Sequence, residues 1–192
     1  MTAPLRGRMK HWTLAFVYTA LTALAIPAHA DVGTAKALRD GDMRKLQFHA
    51  STRTVPDTEF MTFTGAPITL DAYAGKWVLL NFWATWCAPC RKEMPMLADL
   101  QTELGGDTFE VVTVATGRNP PPAMEAFFDK IGVTNLPLYR DPKQKLARDM
   151  GILGLPITVV IDPKGHEIAR LRGDADWSSD NAKDILQTLI GD

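Results

Sequence analysis

Trp77-Val78-Leu79-Leu80-Asn81-Phe82-Trp83-Ala84-Thr85-Trp86-Cys87-Ala88-Pro89-Cys90 runs from an apolar segment straight into the only two cysteines of the chain. A short, continuous apolar run reads as a strand buried on both faces. The residues after it predict a helix from about Cys87 to Leu104, with Pro89 in its first turn, where no N–H is needed, and Pro95 removing one bond further along. A Cys-x-x-Cys pair at a strand-to-helix junction is the pattern of a redox dithiol. The first N–H groups of such a helix lack intrahelical partners and carry partial positive charge, which favours a thiolate at Cys87. Cys87 is therefore the expected attacking nucleophile. Cys90, one turn further in, is the expected resolving thiol.

Two other uses of a cysteine pair fit less well. Structural zinc takes about four ligands, and His11, His29, His49 and His166 are scattered through a chain with no further cysteine. A purely structural bridge between Cys87 and Cys90 would close a very short loop, where the entropic gain is smallest.

Outward from this segment, strands alternate with helices. Glu59 to Phe63 and Ile68 to Leu70 suggest a hairpin, and Asp71 to Ala74 a single helical turn. Phe109 to Ala115 reads as a second buried strand and Ala123 to Ile131 as a helix with Met124, Phe127, Phe128 and Ile131 at core spacing. A strand over Leu136 to Tyr139 and a helix over Lys143 to Met150 follow. Ile157 to Ile161 is a third central strand, turned by Asp162-Pro163-Lys164-Gly165 into His166 to Leu171. Ser178 or Ser179 caps a closing helix through Ile190. The pattern predicts an α/β fold with a mixed central sheet flanked by helices. Residues 31–55, polar and mixed, read as a linker with at most a short helix over Lys36 to Phe48.

Arg6, Arg8 and Lys10, an apolar stretch from Leu14 to Ile26, and Ala28-His29-Ala30 predict a secretory signal over residues 1–30, cleaved or kept as a membrane anchor. The remaining chain would be exported, to a bacterial periplasm. Without those residues 18 basic groups face 22 acidic ones. The balance is mildly acidic with no basic patch, which argues against a nucleic-acid partner.

Strand, Trp86-Cys87-x-x-Cys90 and a later proline ahead of a buried strand resemble the thioredoxin fold. Residues Val78 to Cys87, Cys90-Arg91-Lys92-Glu93-Met94-Pro95, Gly154-Leu155-Pro156-Ile157-Thr158 and Ile161 to Gly165 are similar to the TlpA/ResA/DsbE-like branch of exported thioredoxins. The extra helix and strand at 123–139 match its central insertion, and Ala175 to Asp180 looks like TlpA-type members. The resemblance covers roughly residues 56–190, with a thioredoxin-like domain expected over 56–192. It implies an N-terminal hairpin, a cis bond at Pro156 facing the dithiol, Leu155 backbone groups offered to substrate, and Trp86 lining the docking surface. It also implies a protein-disulfide reductase with no cofactor beyond the Cys87–Cys90 disulfide and no metal, re-reduced by a membrane carrier of CcdA/DsbD type. Its substrates would be cysteine-containing proteins in copper-site or cytochrome c maturation.

The Ala88-Pro89 linker lacks the histidine of strongly oxidising relatives and points to a reductant. Where thioredoxin has a buried aspartate, six residues before its first cysteine, this chain has Asn81, which cannot act as a base. Thr116 to Pro120 offers no replacement carboxylate, so no acid–base residue is assigned. Copper-binding metallochaperones on the same fold are the competing class, but they resemble Cys-x-x-x-Cys with a later histidine. A peroxidatic site would have Thr-x-x-Cys, absent here. A general dithiol oxidant differs only in its potential.

Overall fold

The computed structural model describes residues 1–2 and 31–191; the leader expected over 1–30 lies, apart from its first two residues, outside them. The strands are β1 (Leu46–Thr54), β2 (Phe60–Met61), β3 (Pro67–Ile68), β4 (Trp77–Trp83), β5 (Phe109–Thr116), β6 (Tyr139–Asp141), β7 (Ile157–Ile161) and β8 (His166–Arg172). They form one mixed sheet in the order β1-β8-β7-β4-β5-β6-β2-β3. β4 lies at its middle, parallel to β5 and antiparallel to β7. All seven of its residues are buried, as a strand covered on both faces requires.

Alternation along β4 sorts the core into two layers. Leu79 and Trp83 face the helices α1 (Val32–Ala37), α2 (Ala88–Leu104), α3 (Pro121–Ile131) and α5 (Asp180–Ile190). Val78, Leu80 and Phe82 face α4 (Lys145–Asp149) and the 3-10 turn Leu70–Tyr73. Ser179 caps α5, its hydroxyl accepting from Ala182 N–H at 3.3 Å. Ser179→Ala should lower stability by about 1 kcal/mol, read as a lower urea midpoint at unchanged slope.

The linker expected over residues 31–55 is corrected. α1, a 3-10 turn over Gly41–Lys45 and β1 occupy this segment, and β1 pairs antiparallel with β8 from Leu46↔Leu171 to Thr54↔His166. Ala35, Met43 and Leu46 are buried in the helix-side core. Few apolar residues are needed to fasten the segment because polar contacts complete the attachment. His49 Nε2 lies 2.6 Å from Glu167 Oε1, and Arg170 binds the same carboxylate through Nε and Nη2 at 2.6 and 2.7 Å. Burial pushes the Glu167 carboxyl up, but Arg170 and His49 outweigh it and hold it below the ordinary value.

Smaller corrections have local causes. α3 starts at Pro121 rather than Ala123, because prolines suit a first helical turn. The strand expected from Leu136 starts at Tyr139, beyond Pro137, which has no N–H to give to a ladder. The helix expected over Lys143 to Met150 is Lys145–Asp149.

Candidate active site

β4 delivers its last residues to the middle of the sheet edge, where the turn Ala84–Trp86 passes directly into α2. Cys87 is the N-cap of α2 and is joined to Cys90 by a disulfide, with Cα atoms 5.3 Å apart. Its sulfur also accepts from the Cys90 N–H at 3.3 Å, so one of the unpaired donors of the helix N-terminus points at this atom. Cys87 is 6% exposed and Cys90 0%, which makes Cys87 the sulfur a partner can reach.

The other expected site residues converge on the same edge. Phe82 pairs with Ile157 across antiparallel strands, so the start of β7 lies beside the end of β4. Leu155-Pro156 precedes it and is the one cis peptide bond among the described residues. Leu155 packs against both core layers, the helix-side one containing Cys87. Trp86 is 67% exposed, and Leu153, in the loop leading to Pro156, is 97% exposed. Two large apolar side chains thus stand in water on the segments that flank the disulfide. Trp83, by contrast, is wholly buried core, against Phe127 and Phe128.

Two functional candidates escape sequence reasoning. The first is Glu93, one turn beyond Cys90 on α2 and 1% exposed. Its Oε1 accepts from Asn81 Nδ2 at 2.7 Å, and the same amide nitrogen donates to Thr158 Oγ1 at 2.9 Å. Glu93 Oε2 and Asn81 Oδ1 have no hydrogen-bond partner. Burial pushes the Glu93 carboxyl up to about 7, against the opposing pull of the Asn81 amide. A buried carboxyl on α2 thus stands against Asn81, whose amide cannot itself titrate. Asn81 suits both states of this carboxyl, donating to the ionised form and, with its amide turned over, accepting from the protonated one. The signal was Glu93 within Cys90-Arg91-Lys92-Glu93; only the packed helix tells that it points inward.

The second is Asn119. Its Oδ1 accepts from both the N–H and the hydroxyl of Thr85, at 2.7 and 3.0 Å, and its Nδ2 donates to Thr116 C=O at 2.9 Å. The loop after β5 thereby fastens the turn that presents Trp86 and Cys87. On the outer side of α2, the Arg91 guanidinium sits over the Phe127 ring at 4.9 Å. Among the described residues, no group of three or more His, Cys, Asp or Glu side chains could hold a metal ion.

A mixed sheet, a Cys-x-x-Cys disulfide in the first turn of a helix and a cis-proline opening the adjacent strand define a thioredoxin-like protein. The chain belongs to the AhpC/TSA family, which it matches over residues 52–168. It is 38% identical over 112 residues to the thioredoxin-like protein YneN of Bacillus subtilis, covering 57% of this chain and 64% of that one. It is 38% identical over 109 residues to the thiol:disulfide interchange protein HelX of Rhodobacter capsulatus (56% and 59%). With the thiol-disulfide oxidoreductase ResA of Geobacillus thermodenitrificans it shares 35% over 112 residues (58% and 63%). The matched segments thus span less than two thirds of these relatives. Among solved structures, a thioredoxin-family thiol:disulfide interchange protein of Chlorobium tepidum superposes with a TM-score of 0.62 at 26% identity, over 74% of this chain and 99% of that one. The exposed lipoprotein thioredoxin Etrx1 of Streptococcus pneumoniae gives 0.57 at 30%, over 70% and 98%.

Proposed function

We propose that the protein is an exported thiol–disulfide oxidoreductase that works as a reductant of protein disulfides. The observation that carries this reading is the Cys87–Cys90 disulfide at the N-terminus of α2, with a buried, near-neutral carboxyl one turn behind it. The similarity to the thiol:disulfide interchange protein HelX and the thiol-disulfide oxidoreductase ResA supports the class of reaction.

In the reduced protein Cys87 is the thiolate, held by the helix N-terminus. It attacks one sulfur of a substrate disulfide. That S–S bond breaks, one substrate thiolate leaves, and Cys87 becomes joined to the other substrate sulfur. Glu93 then takes the Cys90 proton, and the Cys90 thiolate attacks Cys87 Sγ. The Cys87–Cys90 bond forms and the second substrate thiolate departs. Two electrons have passed to the substrate and the Glu93 proton goes to water. Trp86, Leu153 and Leu155 offer the apolar surface for the incoming segment, and Leu155 backbone groups can pair with it as an added strand. No cofactor beyond the disulfide enters these steps.

Two electrons must then be returned to the disulfide, which in an exported setting calls for a membrane thiol carrier of CcdA/DsbD type. The leader pattern of residues 1–30 supports a periplasmic location. The TlpA-like ending, Ala175 to Asp180, favours cysteines of a cytochrome oxidase copper site as substrates, ahead of apocytochrome c. Equilibration against glutathione or dithiothreitol tests the direction of transfer. The expected potential is near that of thioredoxin, about −270 mV; a value near about −120 mV would make the protein a disulfide donor instead.

A further inference from the structure

Behind the dithiol, away from the apolar docking residues, a cleft of about 220 Å³ opens between α2, the β8–α5 connection and the 3-10 turn Gly41–Lys45. Asp42, Lys92, Glu93, Met96, Asp174, Ala175 and Asp176 line it. Glu93 and Arg91 are two residues apart, about 200° around a helix, so the cleft and the Arg91–Phe127 contact occupy nearly opposite sides of α2.

Glu93 forms the floor of the cleft, and its Oε2 is buried without a partner. The rim is charged and tied together. Asp42 Oδ2 accepts from the Asp176 N–H at 3.2 Å, and Lys45 Nζ lies 3.0 Å from Asp42 and donates to Asp174 C=O at 2.5 Å. Lys92 Nζ approaches Asp174 Oδ2 at 3.8 Å. Met43, between these contacts, is buried in the same core layer as Ala175 and Trp177. The charged groups around Glu93 are thus Lys92 on its own helix, Asp174 and Asp176 from the connection, and Asp42 and Lys45 from the N-terminal turn.

We propose that this cleft is the proton outlet of the dithiol site, and that Asp42 is a positioning residue that holds the 174–176 turn as its rim. The proton taken from Cys90 leaves Glu93 Oε2 by this side, so resolution proceeds while a substrate covers Trp86 and Leu155. The N-terminal segment, fastened also by Asp40 N–H to Asn181 Oδ1 and Asn181 Nδ2 to Leu38 C=O, is thereby part of the redox machinery. The inference rests on the reading of Glu93 as the base for Cys90.

The test is the pH dependence of mixed-disulfide resolution, followed by stopped-flow, with the Glu93 carboxyl titrated by 13C NMR. Asp42→Ala frees the turn and widens the cleft, hydrating Glu93 more fully than the wild-type outlet does, so both midpoints should fall by about one pH unit or more. Asp42→Asn keeps an acceptor for the Asp176 N–H and should stay within a few tenths of a unit of wild type, taken as small against that shift. A folded Asp42→Ala protein with unshifted midpoints overturns the inference, as does Asp42→Asn shifting as far as Asp42→Ala. If Glu93→Gln itself leaves the resolution profile unchanged, the reading of Glu93 fails as well. If only the Asp42 variants behave as wild type, the reading of Glu93 survives alone.

Discussion

Cys90→Ser protein, reduced and mixed with a disulfide-bonded substrate peptide, should accumulate a covalent adduct through Cys87, whereas Cys87→Ser protein should form none at a comparable rate. Multiple turnover should fall by a factor on the order of 10³ or more in either variant, with the double variant no worse, because the two sulfurs act in one sequence. The asymmetry follows from position. Cys87 sits at the helix N-cap with 6% of its surface open, and Cys90 N–H donates to its sulfur. Cys90 is closed off completely and lies inside the first turn, where it can reach only the sulfur in front of it. Without the second thiolate, the mixed disulfide loses its internal attacker and must wait for a thiol from solution. Intact-mass measurement under non-reducing conditions reads the result. Equal adduct formation through Cys90 in the Cys87→Ser protein would reverse the assigned roles and count against the site as drawn.

The parts of the fold legible in the sequence are those where one strong local signal coincides with burial. β4 is an unbroken apolar run, the dithiol follows it directly, and Ser179 stands at the start of an amphipathic closing helix. The attachment of residues 31–54 was not legible, because it depends on partners far along the chain. His49 meets Glu167 across 118 positions, and Asp42 meets Asp176 across 134. No periodicity within the segment reports such pairings. The carboxyl proposed as the acid–base group was hidden for a related reason. A glutamate between Lys92 and Met94 reads as one of several charges on a helix, and only the sheet brings Asn81 of β4, itself bonded to Thr158 of β7, against its carboxylate. Asn119 likewise acts through Thr85, 34 positions away. Chemistry carried by residue type and spacing was readable; chemistry created by burial was not.

Glu93→Gln should give a protein that is more stable and slower, and the two effects together identify the carboxyl as functional. Burial holds the folded-state value near 7 against 4.5 for an ordinary glutamate. Between these values the native protein binds more protons than the unfolded chain, so stability falls as pH rises through the window and the loss is complete above about pH 7. The difference corresponds to roughly 3 kcal/mol at about 1.4 kcal/mol per unit. Glutamine keeps an oxygen for Asn81 Nδ2 and carries no charge to desolvate. Urea unfolding of the disulfide form should therefore show the variant ahead by on the order of 2–3 kcal/mol at pH 8 and level with wild type near pH 4. Over the same range, the wild-type resolution step should accelerate as Glu93 ionises, with a midpoint near 7. The variant should lose that midpoint and resolve about 10²-fold more slowly at pH 8, the usual contribution of a positioned general base. A carboxyl kept only for packing would show the stability gain without the kinetic loss. A carboxyl well hydrated in solution would show neither. A carboxyl that costs stability when ionised is the signature expected of the proposed proton-transfer role, which Asn81, fixed in charge, could not fill.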